Sequence, residues 1–271
     1  MRTLIIPDVH QKLGKVEKIL ENNTFDRLVS LGDWFDDFYD TSIQARKTAE
    51  YIIDLYSKHG ENFTWLLGNH DIPYLFPNMY DYYACSGNTR EKVRAIQEVF
   101  GGSSMPLGYK AELAHVIKVE GCLDIVLSHA GVSEEHFATP FVDSVTSQAV
   151  LDRCEQAFRN LKLLFQDPVL CAGPARGGRE SVGGITWLDW HREFQPVASI
   201  SQIVGHSPVS HPQIIDELFT RVFPDETLPS LDRYILKPGK SYNINIDTHL
   251  ENYITIENNE LLVHKSSVLF D

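Results

Sequence analysis

Apolar runs of four or five residues alternate with amphipathic stretches along the first half of the chain. Residues 3–6 (TLII) read as a buried strand, after which Val16, Ile19 and Leu20 fall on one helical face. Residues 27–31 predict the next strand. Thr41-Ser42-Ile43-Gln44 has the spacing of a capping box, and Ala49, Ile52, Ile53 and Tyr56 carry a helical stripe on toward Gly60. Residues 63–67 predict a third strand, and this strand-helix order implies a parallel sheet whose strands end on one edge. Asn88 reads as the start of another capped helix, running to Phe100 and stopped by Gly101-Gly102. Residues 113–127, broken at Glu120-Gly121, predict a hairpin. Residues 146–165 hold Val150, Leu151, Cys154, Phe158, Leu161 and Phe165 at helical spacing. Toward the C-terminus, SYNINID (241–247) and NYITIENNELLVHK (252–265) alternate like strands, with Asn258-Asn259 as a turn. The pattern is α/β first and β-rich last, without repeats or a clear linker.

Composition narrows the class only a little. The 271 residues are 43% hydrophobic and 23% charged, as in an ordinary soluble globular protein. A formal charge of -13 argues against polyanionic partners, so neither nucleic acid nor a membrane surface is expected. No apolar run is long enough for a membrane span, and the N-terminus has no signal-peptide core, which together predict a cytoplasmic location. Cys85, Cys122, Cys154 and Cys171 are scattered and read as reduced thiols. Nothing in the sequence sets an oligomeric state.

The stretch SLGDWFDD (30–37) raises a sharper question, because a buried strand stops at a glycine and releases three carboxylates together. Alone, such a run reads as a solvated turn. The other strands repeat the feature, however: PDVH follows residues 3–6, GNHD follows 63–67, SHAG follows 125–127 and GHSP follows 200–204. Ligand sites in open α/β sheets gather beyond the carboxyl ends of strands, so these loops can converge on one point. Aspartate, histidine and asparagine without cysteine suit manganese, iron, zinc or magnesium. One carboxylate can bridge two such ions roughly 3.5–4 Å apart, the arrangement that clamps the attacking and leaving oxygens of a phosphoryl displacement.

The ordered set D-x-H, G-D-x-x-D, G-N-H-D, H-A-G and G-H, over residues 7–209, resembles the calcineurin-like metallophosphoesterases. Gly205-His206-Ser207-Pro208, the H-A-G and the I-D-T of NINIDTH are more similar to the branch holding phosphoprotein phosphatases and symmetrical diadenosine tetraphosphatases. That resemblance implies an αββα sandwich of two mixed sheets flanked by helices, with metals at the carboxyl ends of strands. It would form a single domain over residues 1–271, with variable excursions at about 72–112 and 133–190. It further implies that Asp8 and His10 hold one metal, that Asp33 bridges to a second, and that Asn69, His129 and His206 complete the second site. Two divalent ions, manganese first, would be the cofactors, and a metal-bridging hydroxide the nucleophile. His70 would protonate the leaving group and Asp36 would orient it, roles that suit an imidazole near neutral pKa beside a carboxylate. The expected activity is hydrolysis of a phosphomonoester, on a protein or a small molecule. Hydrolysis of dinucleoside polyphosphates is the rival within the class, and a non-catalytic phosphate-binding scaffold the rival outside it.

Three departures from the pattern stand out. Relatives typically read G-D-x-x-D-R-G with arginine gripping the phosphate, where this chain has Asp37-Phe38. His10 precedes Gln11 rather than glycine, and position 208 is proline, leaving His211 as a substitute to consider. Asp37 is expected to be a solvated loop residue and Asp71 a loop support. A phosphate still favours a fork of donors, and the glycine-rich stretch GPARGGRESVGGITWLDW (173–190) offers Arg176 and Arg179 for substrate binding. Trp187 and Trp190 in the same stretch read as packing residues.

Overall fold

The computed structural model describes residues 1–37, 39–102, 110–138, 144–216, 219–222 and 233–266. Phe38, and the parts of the two excursions at 103–109 and 139–143, lie outside them. In chain order the elements are β1 (Arg2–Ile6), α1 (Leu13–Glu21), β2 (Arg27–Ser30), α2 (Ser42–His59), β3 (Phe63–Leu66), α3 (Ile72–Leu75), α4 (Tyr80–Tyr83), α5 (Arg90–Val99), β4 (Ala111–Glu112), β5 (Ala114–Ile117), β6 (Ile125–Ser128), α6 (Glu134–Phe137), α7 (Ser147–Lys162), β7 (Ser201–Val204), β8 (Gln213–Asp216), β9 (Phe219–Val222), β10 (Arg233–Ile235), β11 (Tyr242–Asn245), β12 (Asn252–Glu257) and β13 (Glu260–Lys265).

The strands form two mixed sheets. One has the order β10-β13-β12-β1-β2-β3-β4 and the other β5-β6-β7-β11-β8-β9. Within the first, β1, β2, β3 and β4 are parallel, while the β12–β13 hairpin joins β1 antiparallel. In the second, β6, β7 and β11 are parallel, flanked by antiparallel β5 and β8. Period-two alternation explains how the layers stack. Ile5, Val29 and Leu66 point to the inter-sheet core, where they meet Ile125, Leu127, Ile203 and Ile244. Leu4, Ile6, Leu28 and Trp65 point the other way, into one cluster with Val16 and Ile19 of α1 and Ala45, Ala49 and Ile52 of α2. Every one of these side chains is buried, each leucine, isoleucine and valine contributing about 1.5–3 kcal/mol of transfer free energy. The two sheets are thereby locked face to face, and the loops after their parallel strands meet at one edge.

Helix ends follow local chemistry. The capping box at α2 is present: the Thr41 side chain accepts from Gln44 N, and Gln44 Oε1 accepts from Thr41 N at 2.8 Å. On this helix Leu55 joins the buried face, and Ile53 packs against the same cluster partly buried. Helix α5 is capped by Thr89 rather than Asn88, whose side chain is engaged elsewhere. Helix α7 stops at Lys162, where Leu164 turns left-handed (φ 61°), so Phe165 is 62% exposed despite its helical spacing.

Candidate metal centre

The acidic stretch after β2 resolves into two faces. Trp34 and Phe35 are fully buried among aromatic neighbours, whereas Asp33 and Asp36 turn into a polar pocket and Asp37 is exposed. This split needs unusual backbone geometry. Asp33 (φ 46°) and Asp36 (φ 64°) are left-handed, as are His10 (φ 43°) and His206 (φ 65°). Such residues cost about 1–3 kcal/mol each and cluster where function over-determines them. Aspartate tolerates the region better than most residues, but no sequence signal marks it here.

Two groups of side chains can hold a cation, and both include Asp33. Ligand atoms of Asp8, His10 and Asp33 lie within 4.8 Å of one another, as do those of Asp33, His129 and His206. Each residue is aimed by a contact behind it. His10 Nδ1–H donates to the Asp36 carbonyl at 2.6 Å, leaving Nε2 3.8 Å from Asp33 Oδ2. His129 Nδ1–H donates to the Leu31 carbonyl at 2.9 Å, which fixes its tautomer and turns Nε2 inward. The Asn69 amide nitrogen donates to Cys85 Sγ at 3.5 Å, so Asn69 Oδ1 faces His129 Nε2 at 3.1 Å. Asp8 is held by the backbone N–H of His206, 3.1 Å from both oxygens.

The chemistry of the donor set fits a divalent cation. Around His129 Nε2 stand Asn69 Oδ1 and His206 Nδ1 at 3.1 Å and Asp33 Oδ2 at 3.4 Å, a cluster of lone pairs at which, among the described residues, no donor other than the imidazoles themselves is directed. Such a cluster needs a positive charge at its centre. In the protein alone a proton supplies it: burial disfavours the imidazolium, yet Asp33 and Asp8 push His129 up to about 9. Burial and the neighbouring Asp247 and Asp33 carboxylates hold Asp8 well above the usual carboxylate range. Asp247 is buried beside Asp8 and His10 and belongs to neither Asp/His group. Burial and the His129 and Arg176 charges keep His206 well below its ordinary value, hence neutral and able to ligate.

His70 sits beside this pair of groups, its side chain 16% exposed and its ring edge-on to His10 at 5.4 Å. Its backbone N–H donates to Asp33 Oδ1 at 2.9 Å, and its Nδ1 lies 3.0 Å from Asp36 Oδ2. Burial opposes the imidazolium, but Asp33 and Asp36 raise His70 well above its ordinary pKa. Asp36 also accepts from the Tyr74 hydroxyl, the Asn88 amide and the Lys92 ammonium, all from the excursion after β3. Asp71 is a loop support: fully buried, it accepts from Trp34 N (2.9 Å), Gly68 N (3.0 Å) and Trp65 Nε1 (3.2 Å), tying the loops after β2 and β3 together.

The glycine-rich stretch is closely packed. A Cβ on Gly178 would lie 1.7 Å from the Ala172 carbonyl oxygen, and one on Gly184 2.0 Å from that of Val169. This packing brings only one of the two arginines to the centre. Arg176 Nε lies 2.8 Å from Asp189 Oδ2, and its Nη2 donates to Ser207 Oγ at 2.9 Å, one residue past His206. Arg179 is exposed, with no ion pair or hydrogen bond among the described residues. His211 is exposed and belongs to neither Asp/His group. Trp187 packs edge-on against His206 at 5.6 Å, and Trp190 is buried against Phe194.

A mixed two-sheet sandwich whose strand-end loops gather carboxylates, imidazoles and an amide around a shared aspartate defines a metal-dependent hydrolase. More particularly, residues 1–210 match the model of the calcineurin-like phosphoesterases, and the chain belongs to that family as a metal-dependent phosphatase or phosphoesterase. By structure it is similar to the cold-active protein-tyrosine phosphatase of a psychrophile Shewanella species, with a TM-score of 0.51 and 15% identity over 98% of this chain and 78% of that one. It is also similar to a protein serine/threonine phosphatase from Saccharomyces cerevisiae with similarity to human phosphatase PP5, with a TM-score of 0.50 and 14% identity over 100% of this chain and 81% of that one. At these identities the likeness is one of fold. The sequence has no match among curated proteins. Among the described residues no helix is long and apolar enough to cross a membrane.

Proposed function

We propose that the protein is a phosphomonoesterase acting through two divalent cations, manganese first, held by Asp8, His10, Asp33, Asn69, His129 and His206. The observation that carries this reading is the sharing of Asp33 between two adjoining Asp/His groups. When bound, such cations polarise the phosphoryl group and activate water. The chain's own residues then have separable tasks. Asp33 and Asp8 neutralise the cations, and the hydrogen bonds behind His10 and His129 keep their Nε2 lone pairs aimed inward. His70 Nδ1–H donates to Asp36, and the Asp33 and Asp36 carboxylates favour the imidazolium, whose second proton, on Nε2, is the one the leaving oxygen takes up. Arg176, with donors left over after Asp189 and Ser207, grips a non-bridging phosphate oxygen at the rim. Arg179 has no support for such a task. The substrate is a phosphorylated protein or small molecule, and residues 1–271 work as one domain with specificity drawn from the excursions at 72–112 and 133–190.

The test is turnover by metal-defined protein on an aryl phosphate, an aryl phosphodiester, a phosphopeptide and diadenosine tetraphosphate, each repeated with His70→Asn. Monoester turnover that falls about 10²–10⁴-fold in kcat in the variant, at unchanged metal content, is the expected result. Turnover confined to diadenosine tetraphosphate would replace the monoester reading with the polyphosphate one. Turnover of none of the four by fully metallated protein would overturn both.

A further inference from the structure

Lys92 has no role in the reading above, yet it is the most unusual residue near the centre. It lies on the buried face of α5 beside Ala95 and Ile96, with its side chain only 6% exposed. An ammonium taken out of water needs all of its donors met, and replacing a whole buried ion pair by apolar side chains of similar volume is often neutral or stabilising. Its placement therefore calls for a purpose besides stability. The donors are met in full: Lys92 Nζ donates to Asp36 Oδ1 at 2.8 Å, to the Gly87 carbonyl at 2.8 Å and to Asp40 Oδ1. Asp40 in turn accepts from Gln11 Nε2 at 2.5 Å, and Gln11 adjoins His10. The chain of contacts runs from α5 through Asp36 to His70, and through Asp40 and Gln11 back to the loop after β1. Gln11 is the residue that stands where relatives carry glycine, and here it has a partner.

We propose that Lys92 is a positioning residue for the reaction: it fixes the Asp36 carboxylate against His70 Nδ1, so that the other ring nitrogen points at the leaving group. Lys92 does not stand in for the arginine absent at position 37, because every one of its donors is used inside the protein. The excursion that carries Tyr74, Asn88 and Lys92 thus belongs to the catalytic machinery as well as to specificity. This inference rests on His70 as the proton donor.

The experiment compares manganese-reconstituted parent, Lys92→Met, Lys92→Arg, His70→Asn and His70→Asn/Lys92→Met on phenyl phosphate and 4-nitrophenyl phosphate, a poor and a good leaving group. Misplacing a reacting group by about 1 Å can cost about 10²-fold. Lys92→Met should therefore lose about 10–100-fold in kcat on phenyl phosphate and clearly less on 4-nitrophenyl phosphate, with KM and manganese content near those of the parent. Lys92→Arg should recover most of the loss, and the double variant should be no worse than His70→Asn, since both act through one group. In metal-free protein the imidazole nitrogen resonances of His70, assigned by their absence in His70→Asn, should move in Lys92→Met. Parent-like kcat, an equal loss on both substrates, or losses that multiply in the double variant would overturn the inference. If His70→Asn itself shows no leaving-group-dependent loss, the reading of His70 fails instead, whatever Lys92→Met does. Should Lys92→Met not fold, Asp40→Asn decides: a smaller loss with the same leaving-group pattern supports the inference, and parent-like kcat overturns it.

Discussion

Gly68→Ala is a one-carbon perturbation aimed at the shared carboxylate. Gly68 opens the G-N-H-D loop, and a Cβ built on it would lie 2.0 Å from Asp33 Oδ1, 2.7 Å from Asp33 Cγ and 2.7 Å from Asp33 N. An ordinary carbon–oxygen contact is about 3.3–3.6 Å, so the carboxylate has to retreat by roughly 1.3 Å or the two loops have to part. Either movement pulls Asp33 away from both Asp/His groups without altering a single ligand. It also strains the hydrogen bonds that Asp33 receives from His70 N and that Asp71 receives from Gly68 N. Overpacking of this kind costs about 1–3 kcal/mol, and for a chain of this size each kcal/mol moves Tm by about 2–4 °C. A fall of about 2–12 °C is expected, with kcat down on the order of 10²-fold and manganese content reduced. Gly14→Ala is the control: in α1, with nothing within 4 Å of its Cβ, it should stabilise by about 0.5–1 kcal/mol and leave metal content unchanged. Elemental analysis, a thermal melt and one turnover assay on both variants suffice. A Gly68→Ala protein with the parent's metal content and kcat would refute the reasoning.

Asp71→Asn keeps the shape of a buried side chain but turns an NH2 toward one of three N–H donors. A loss of about 1–3 kcal/mol is expected in a thermal melt, and an unchanged Tm would show that the loops are not tied there. Arg176→Ala should raise KM for a phosphomonoester by about ten- to a hundredfold, the worth of a hydrogen bond to a charged group, while Arg179→Ala leaves it alone. Equal effects of the two would remove the distinction drawn from Asp189 and Ser207. Stripping the metal with a chelator should lower Tm, because a cation that binds only the folded centre stabilises by about 2.7 kcal/mol at a hundred times its Kd. Manganese should restore the parent value, and an insensitive Tm would count against a cation held by Asp8, His10, Asp33, Asn69, His129 and His206.

The part of the site that was legible is the part written at strand ends. Asp8, His10, Asp33, Asn69, His129 and His206 each follow a short apolar run, and a parallel strand fixes where such a residue comes out. Their convergence could be anticipated because β1, β2 and β3 of one sheet and β6 and β7 of the other present the same edge. What surrounds Asp36 was not legible. Tyr74, Asn88 and Lys92 reach it from 38, 52 and 56 residues away along the chain, from α3, from the loop before α5 and from α5 itself, whose packing no periodicity reports. Asn88 was even misassigned, since asparagine before an amphipathic run resembles a cap, whereas Thr89 takes that place and frees the amide for Asp36. Phe165 shows the opposite failure, where periodicity continues but the backbone turns at Leu164. Of the three carboxylates that SLGDWFDD releases together, two are buried at the centre and the third, Asp37, faces outward.

The central claim is that one carboxylate, Asp33, serves two cations. It is tested most directly by counting manganese per chain in the parent and in Asp33→Asn, reconstituted side by side. The account predicts two ions in the parent and a loss from both sites in the variant, leaving less than one. No bound ion in the parent at saturating manganese, or a variant that keeps one full equivalent, would contradict it.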